Sequence, residues 1–148
     1  MENSAIFDKH RGIGSLVSPV VCADDQVVVS HRPLSSDGNV VAGYLFVETR
    51  RHTRSLNTLT DSEVIAVARA VHRVAQALDA LYNPEHVFTF IAGRTVPHFH
   101  QHVFTRHRGT PESISWNNFE TYSGALFLGA SALAESVAEL RSLISLES

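Results

Sequence analysis

The sequence predicts a single α+β domain over residues 1–148, with a mainly antiparallel sheet, a long central helix and a C-terminal helix. Two observations support this prediction. Short runs of β-branched and aromatic residues occur before and after one long amphipathic segment, and a second amphipathic segment lies near the end of the chain. The order strands, helix, strands, helix is typical of an α+β domain.

Two strands are expected before the long helix. Residues 26–30 (QVVVS) form a short β-branched run, and residues 43–49 (GYLFVET) add aromatic residues to the same chemistry. Residues 37–39 (DGN), between them, have the composition of a turn. The first part of the chain therefore predicts two strands with a turn in their connection.

The segment TDSEVIAVARAVHRVAQALDALYNP (60–84) predicts the long helix. Thr60 and Glu63 have the spacing of a capping box at its start, and Asn83 with Pro84 predicts its end. Apolar residues recur along it at three- and four-residue steps, which indicates one buried face. These residues are Val64, Val67, Ala68, Val71, Val74, Ala75 and Leu78.

After the helix, residues 86–92 (HVFTFIA) and 97–105 (PHFHQHVFT) predict two more strands, separated by the sequence GRT. The polar residues of 108–124 predict a loop, and residues 129–145 predict the C-terminal helix. One side of that helix is expected to carry Leu133, Val137, Leu140, Leu143 and Ile144.

The composition excludes several classes of protein. Hydrophobic residues make up 44% and charged residues 18%, which is typical of a globular chain, and the net charge of -3 gives no basic field for nucleic acid. No apolar run approaches the length of a membrane span, and the N-terminus lacks a signal-peptide pattern. A single cysteine, Cys22, fits a reduced compartment. We therefore expect a cytoplasmic protein with no nucleic-acid or membrane partner.

The segment VPHFHQHVF (96–104) holds three of the nine histidines of the chain, His98, His100 and His102. On a strand, alternate residues project from the same face, roughly 7 Å apart. Three imidazoles this close are not all protonated at neutral pH, because like charges lower one another's pKa. A neutral ring beside a cationic ring can act as a nucleophile or base beside an acid.

The residues before this row are suited to phosphate. Gly93 allows close approach of the backbone, Arg94 offers a charged fork, and Thr95 offers a hydroxyl. Arg106 and Arg108 add positive charge after the row. A phosphoryl centre is therefore the predicted target of the histidines.

Two other interpretations of the histidine row stay open from the residue types alone. Three imidazoles and a water can hold zinc, although zinc ligands usually come from separated segments. The row can also be a structural cluster without chemistry, and the GRT sequence a plain turn.

The motifs resemble those of the histidine triad (HIT) superfamily. HFHQHVF fits its signature His-φ-His-φ-His-φ-φ, where φ is apolar, except at Gln101. GRTVPH resembles the superfamily's Gly-Gln-Ser/Thr-Val-x-His, with Arg94 in place of glutamine, and GYLFVETRRH with LNTLTDSE resembles its strand and capped helix. Thr49 stands where proline is common, and Tyr44 where many members carry a further active-site histidine. The resemblance covers about residues 26–108 and implies a HIT-like fold.

The resemblance implies a role for each histidine of the row. His100 is similar to the nucleophile that attacks the α-phosphorus of a nucleotide. His102 is similar to the residue that contacts phosphate oxygens and aids the leaving group, and His98 to the histidine that orients the middle one. These three are the predicted catalytic residues.

The resemblance also implies substrate-binding residues. Thr95 matches a phosphate-contacting hydroxyl, and Gly93 with Arg94 belongs to the same turn. His52 matches the histidine that closes the Arg-Arg-His segment, and Tyr44 the further active-site position. His31, in SHRPL, lies where the family often places an aspartate for the ribose, so His31 is the candidate for that contact.

The implied activity is a nucleotide hydrolase or nucleotidyl transferase that cleaves a phosphoanhydride or phosphoramidate bond at the α-phosphate. It proceeds through a covalent nucleotidyl-histidine and releases a nucleoside monophosphate, so the expected partner is a nucleotide or dinucleotide substrate. The alternatives are a non-catalytic nucleotide-binding module of the same fold and a metal-binding histidine protein.

We expect no cofactor and no metal. Some members hold zinc through an N-terminal Cys-x-x-Cys and histidines that match His52 and His98, but this chain lacks the cysteine pair. Asp8 and His10 are the available substitutes, and a surface charge pair is the simpler interpretation of them.

A homodimer is expected, partly because most small members of the superfamily are dimers. The long helix carries apolar residues around more than one face, and the strand near Val87–Phe90 can extend the same surface. The helix residues concerned are Val64, Ile65, Val67, Val71, Val74 and Leu78.

Overall fold

A computed structural model describes residues 19–94 and 96–146. The strands, in chain order, are β1 (Val20–Ala23), β2 (Val27–His31), β3 (Val40–Val41), β4 (Tyr44–Thr49), β5 (His86–Ile91), β6 (His100–Arg106) and β7 (Phe127–Leu128). The helices are α1 (Asp61–Tyr82), between β4 and β5, and α2 (Ala130–Leu143), after β7. Neither helix of the described residues combines the length and apolarity needed to cross a bilayer.

Five strands form one antiparallel sheet in the order β1-β2-β4-β6-β5, and β3 pairs with β7 in a separate two-stranded ribbon. The predicted α+β class, with its antiparallel sheet, central helix and C-terminal helix, is confirmed. The sequence did not predict β1, β3 and β7. All three are short. β1 pairs with the adjacent strand β2, whereas β3 and β7 are defined by their pairing with each other across most of the chain.

One face of the five-stranded sheet packs against both helices and forms the main core. Side chains from β2, β4 and β6 interlock there with one side of α1 and α2. The fully or almost fully buried members include Val29, Leu45, Val47, Val103, Val67, Val74, Leu78, Val137 and Leu140. Val64, Ala68 and Leu143 were expected in the buried faces of their helices, but they are exposed and lie at the margins of those faces.

The opposite face of the sheet carries polar and aromatic residues. Antiparallel pairing sets Tyr44 opposite Phe104, Phe46 opposite His102, and Glu48 opposite His100. Directly paired residues of neighbouring strands project from the same face. His100 and His102, two of the three candidate catalytic residues, therefore lie on the face that the helices leave open.

The start of α1 is fixed by local chemistry. Thr60 accepts a hydrogen bond from the backbone N–H of Glu63, whose carboxylate accepts one from the backbone N–H of Thr60, as in the predicted capping box. The Arg51 guanidinium donates to both carboxylate oxygens of Glu63. One arginine of the Arg-Arg-His segment thus anchors the helix. At the other end, Asn83 adopts the left-handed conformation, with φ 45°.

Strand β6 begins at His100, three residues later than predicted. The backbone N–H of Phe99 donates to the carbonyl of Thr53 at 2.7 Å, and the Phe99 ring is buried in the main core. This contact draws the chain out of the sheet before His100. His98 therefore precedes the strand instead of belonging to it.

Gly43 directly precedes β4, and substitution of this glycine tests the backbone conformation there. Its φ is +74°, and a Cβ there would lie 2.7 Å from Thr105 Oγ1. Gly43→Ala should lower the free energy of unfolding by about 1–3 kcal/mol, from backbone strain and steric conflict. Chemical denaturation measures this loss.

Gly38→Ala is the matched control, because Gly38 has φ +82° and a Cβ there would meet nothing within 4 Å. It should show the smaller loss. Equal losses would mean that the contact with Thr105 contributes nothing.

Candidate active site

His100 and His102 lie side by side on the open face of the sheet, with ring centroids 5.1 Å apart. Both are half-buried. Phe46, on the neighbouring strand, contacts both rings, at 6.0 Å from His100 and 5.1 Å from His102. The sheet thus presents two imidazoles next to each other within an aromatic surround.

A hydrogen bond to the main chain determines which nitrogen of His100 is available. Its Nδ1 lies 2.8 Å from the carbonyl oxygen of His98. A carbonyl only accepts, so Nδ1 carries the proton and donates it. In the neutral ring, Nε2 then keeps a free electron pair, as a nucleophile requires.

His102 is held by two residues on neighbouring strands. The hydroxyl of Tyr44 lies 2.6 Å from its Nδ1, and the Phe90 ring stacks on it at 4.1 Å with an interplanar angle of 11°. Burial raises the pKa of Tyr44 to about 12, so the phenol keeps its proton and can donate it to Nδ1. That arrangement puts the proton of a neutral His102 on Nε2, which is itself almost inaccessible to solvent.

Tyr44 is enclosed, with only 6% of its surface exposed. Its ring stacks on Phe104 at 5.0 Å, and the Arg32 guanidinium lies 4.9 Å from the ring centroid on the surface side. Arg32 also forms an ion pair with Glu120 at 2.7 Å. Tyr44 was predicted as a substrate-binding residue, but its position favours an indirect role, through His102.

His98 and His52 form a second histidine pair. His98 is fully buried, its Nε2 donates to the carbonyl of Thr49 at 2.7 Å, and its ring packs edge-on against His52 at 5.2 Å. The contact from His98 to His100 described above comes from the His98 carbonyl. His98 thus contacts His100 through its main chain, its orienting function stays a prediction, and His52 lies beside His98.

Glu48 is a feature of the site that the sequence analysis missed. It is fully buried and directly opposite His100 in the pairing of β4 with β6. The alternation of Tyr44, Phe46 and Glu48 along β4 was a usable signal, since it places all three on one face. Without the register of the two strands, nothing connected Glu48 to the histidines.

The turn before β6 contains the predicted phosphate-contacting residues. Gly93 has φ +74°, a left-handed conformation that favours glycine, whereas a Cβ there would meet only the Arg54 carbonyl at an ordinary 3.8 Å. The left-handed backbone conformation, more than a lack of space for a Cβ, thus favours glycine at this position. The Arg94 side chain is exposed, and Thr95 lies outside the described residues.

His31 is buried in the sheet and makes two backbone contacts. Its Nδ1 donates to the Arg32 carbonyl at 2.9 Å, and its Nε2 accepts from the Gly43 N–H at 3.3 Å. Its exposed fraction is 0%. Both ring nitrogens are occupied and no surface is open, which argues against the predicted ribose contact.

Metal ligands do not cluster in the described part of the chain. Within residues 19–94 and 96–146, no group of three or more His, Cys, Asp or Glu side chains is arranged to hold a metal ion. His52 and His98 pack together as rings, whereas Asp8 and His10 lie outside the described residues.

The family model for the HIT domain matches residues 18–109. The chain belongs to the HIT domain family. This match includes β1 to β6 and α1, and with them both histidine pairs. The resemblance predicted from the motifs is confirmed, and it extends further toward the N-terminus than the motifs alone indicated. Among curated proteins, none matches this sequence.

Solved structures with the same fold include several bacterial HIT proteins. A Hit-like protein involved in cell-cycle regulation from Bartonella henselae is 17% identical, with a TM-score of 0.71 over 97% of this chain and 98% of that chain. A HIT family protein from Bacillus anthracis is 22% identical, with a TM-score of 0.60 over 95% and 94%. A Zn-bound histidine triad family protein from Mycobacterium smegmatis is 20% identical, with a TM-score of 0.56 over 84% and 87%. At these identities the likeness shows the fold alone.

The burial of His31 leads to a pH-dependence prediction. Burial lowers the pKa of His31 from its usual 6.5, so below about pH 6.5 the unfolded chain binds a proton that the folded chain does not. Its contribution to stability is therefore complete above that pH and is lost as the pH falls toward the lowered pKa. His31→Gln keeps an acceptor for Gly43 and removes the titration. The loss of unfolding free energy between about pH 7.5 and about pH 5 should be smaller in His31→Gln than in the wild type.

His72→Gln, at a position on α1 outside the core, is the control and should lose as much as the wild type. An equal acid loss in wild type and His31→Gln would contradict the assignment of a neutral buried ring.

Proposed function

We propose that this chain is a nucleotide hydrolase or nucleotidyl transferase that acts at the α-phosphate through a covalent intermediate on His100. The bond cleaved is a phosphoanhydride or a phosphoramidate, and the product is a nucleoside monophosphate. One observation carries the proposal: the His98 carbonyl holds the proton of His100 on Nδ1 and leaves Nε2 as the nucleophile, with His102 adjacent.

The first step forms a bond from His100 Nε2 to the α-phosphorus. The bond from phosphorus to the leaving oxygen or nitrogen breaks, and its electron pair stays on the leaving group. His102, protonated on both ring nitrogens, donates its Nε2 proton to that atom and becomes neutral, while the Tyr44 oxygen accepts from its Nδ1–H. Because this Nε2 is enclosed, the groups around it have to shift when substrate binds.

The second step releases the nucleotide. Water attacks the phosphorus of the nucleotidyl-histidine and gives up a proton, for which His102, now deprotonated at Nε2, is the acceptor. The nitrogen–phosphorus bond breaks, and its electron pair returns to His100 Nε2. A nucleoside monophosphate and the starting form of both histidines result. In the transferase variant of the reaction, a second acceptor takes the place of water.

Binding of the substrate phosphates is assigned to the turn before β6. The exposed guanidinium of Arg94 can grip two phosphate oxygens, and the positive φ of Gly93 turns the chain back toward β6. Thr95 is kept in this group on the basis of the family motif. His31 is left out of the proposed site because it is fully buried.

His100→Ala should reduce turnover of a dinucleoside polyphosphate or an adenosine phosphoramidate by several orders of magnitude. No other group replaces a covalent nucleophile. Product analysis under single-turnover conditions measures this, and His72→Ala, a histidine on α1 outside the site, is the control that should keep wild-type turnover.

Turnover of His100→Ala within tenfold of the wild type would reject the nucleophile. Tight nucleotide binding by a wild-type protein without turnover would instead favour the non-catalytic binding module.

Tyr44→Phe tests the tautomer of His102. It removes the hydroxyl on Nδ1 and keeps the ring that packs on Phe104. We expect kcat to fall by about ten- to a hundredfold with little change in KM, because the loss affects proton delivery and leaves binding intact. Tyr44→His, which restores a hydrogen-bonding group at this position, should recover part of kcat. A change confined to KM would show that Tyr44 acts in binding.

A homodimer through the β5 edge is also proposed. Strand β5 lies at one edge of the sheet, and its sequence HVFTFI has no proline or lysine to block further pairing. Next to it, a groove of about 300 Å³ is lined mainly by apolar residues of α1 and the segment before it, including Leu56 and Val64. Leu56 is 54% exposed and Val64 42%, so a second copy that extends the sheet would cover both.

Val64→Glu should convert the dimer to a monomer without loss of the fold. A carboxylate in the groove opposes burial against a second copy. Light scattering at micromolar protein gives the mass, and Ile65→Glu, at the adjacent exposed position outside the groove, should stay dimeric. A wild-type mass near 16.3 kDa would reject the dimer.

A further inference from the structure

A cavity lies on the open face of the sheet, beyond the candidate active site. Its volume is about 500 Å³, within the range of small-molecule sites. It is found at the end of β6 opposite the Gly93 turn, and part of its wall comes from the segment that follows β6. Its lining includes His86, Phe88, Arg106, Glu112 and Trp116.

A continuous set of aromatic rings connects this cavity to His102. Phe90 stacks on His102 on one side and contacts Trp116 at 5.7 Å on the other. Trp116 in turn lies 5.8 Å from Phe88 and stacks over Phe104 at 6.2 Å. One ring, Phe90, therefore contacts both His102 and Trp116, which lines the cavity.

A buried arginine fixes the wall that carries Trp116. Arg106 is only 9% exposed and donates to the carbonyls of Ile114 and Pro111, at 2.9 and 2.8 Å. It also pairs with the carboxylate of Glu85 at 3.1 Å. A buried guanidinium with all these acceptors holds the segment rigidly against the sheet. Arg106 thus tethers the segment just before Trp116 to the sheet.

Trp116 itself is incompletely covered. In spite of these ring contacts, 43% of its surface is exposed, beside the cavity. Aromatic side chains set in this way accept nucleobases by stacking, with little dependence on which base is bound. His86 and Glu112 in the same wall offer a ring nitrogen and a carboxylate to the polar edge of a base.

The position along β6 determines which part of a substrate reaches the cavity. From His102 to Arg106 the strand advances four residues, or roughly 13 Å. A small leaving group bonded directly to the reacting phosphorus does not span this distance. A nucleobase that leaves with a ribose and further phosphates does. The cavity lies on the His102 side of His100, which is the side of the leaving group.

We propose that this cavity is a leaving-group subsite, in which Trp116 and Phe88 stack on the nucleobase of a departing nucleoside phosphate. The inference rests on the proposed function, and it specifies the substrate as a dinucleoside oligophosphate in preference to a phosphoramidate with a small amine. Phe90 lies between this subsite and His102, and it contacts both His102 and Trp116.

The kinetic test compares two substrates with the same nucleotidyl group. One is diadenosine triphosphate, and the other is adenosine 5′-phosphoramidate, whose leaving group has no ring. Trp116→Leu keeps apolar cover over Phe104 and removes the stacking surface. It should lower kcat/KM for the dinucleotide by about tenfold or more beyond any loss for the phosphoramidate, and Trp116→Phe should restore most of it.

Ile65→Ala is the matched control, since it truncates an exposed apolar residue of α1 far from the cavity and should alter neither substrate. Equal effects of Trp116→Leu on both substrates would overturn the subsite while leaving the proposed function intact. Failure of the wild type to cleave either substrate would instead reject the proposed function.

A binding test uses the fluorescence of Trp116, which is the only tryptophan of the chain. In the His100→Ala protein, which does not consume substrate, diadenosine triphosphate should quench the emission saturably, and adenosine 5′-phosphoramidate should quench it much less. Equal quenching by both compounds would show that the base of the nucleotidyl group, which they share, occupies the cavity. That result would overturn the subsite. Emission that changes on dilution of the protein, with no response to the dinucleotide, would assign the cavity to a second copy of the chain and overturn the proposal.

Discussion

The antiparallel register between β4 and β6 is the constraint on which the candidate site depends. It sets Glu48 opposite His100, Phe46 opposite His102, and Tyr44 opposite Phe104. A shift by one residue would exchange the two faces of β6, exposing Val103 and burying the histidines among the helices. The main core fixes the register, because Leu45, Val47 and Val103 are fully buried on the other face.

His100 and His102 are held in different ways. His100 is oriented by a main-chain carbonyl just before the strand, where Phe99 is drawn into the core. His102 lies within the strand and is oriented by a neighbouring side chain, the phenol of Tyr44. A carbonyl forces the proton onto Nδ1 of His100, while a phenol donor favours Nε2 for His102. In the proposed reaction His100 attacks through Nε2, and His102, once protonated on both ring nitrogens, donates its Nε2 proton.

Features set by local chemistry were predictable from the sequence. The start and end of α1 follow from Thr60, Glu63 and Asn83, whose effects act within a few residues. The pairing of His100 with His102 on one face follows from strand periodicity. Features set by distant contacts were missed or displaced: His98 precedes β6 because Phe99 bonds to Thr53, and His31 turns into the core to meet Gly43. Glu48 became relevant only when strand pairing brought it to the same face as the histidines.

The proposed reaction depends on a bond between His100 and the α-phosphorus. The stereochemistry at that phosphorus tests this most directly, with a substrate made chiral there by sulfur and isotopic oxygen substitution and hydrolysed in labelled water. Two successive in-line displacements, the first by His100 and the second by water, each invert the centre, so the account predicts net retention in the nucleoside monophosphate product. Net inversion would show a single direct attack by water and would contradict the covalent intermediate.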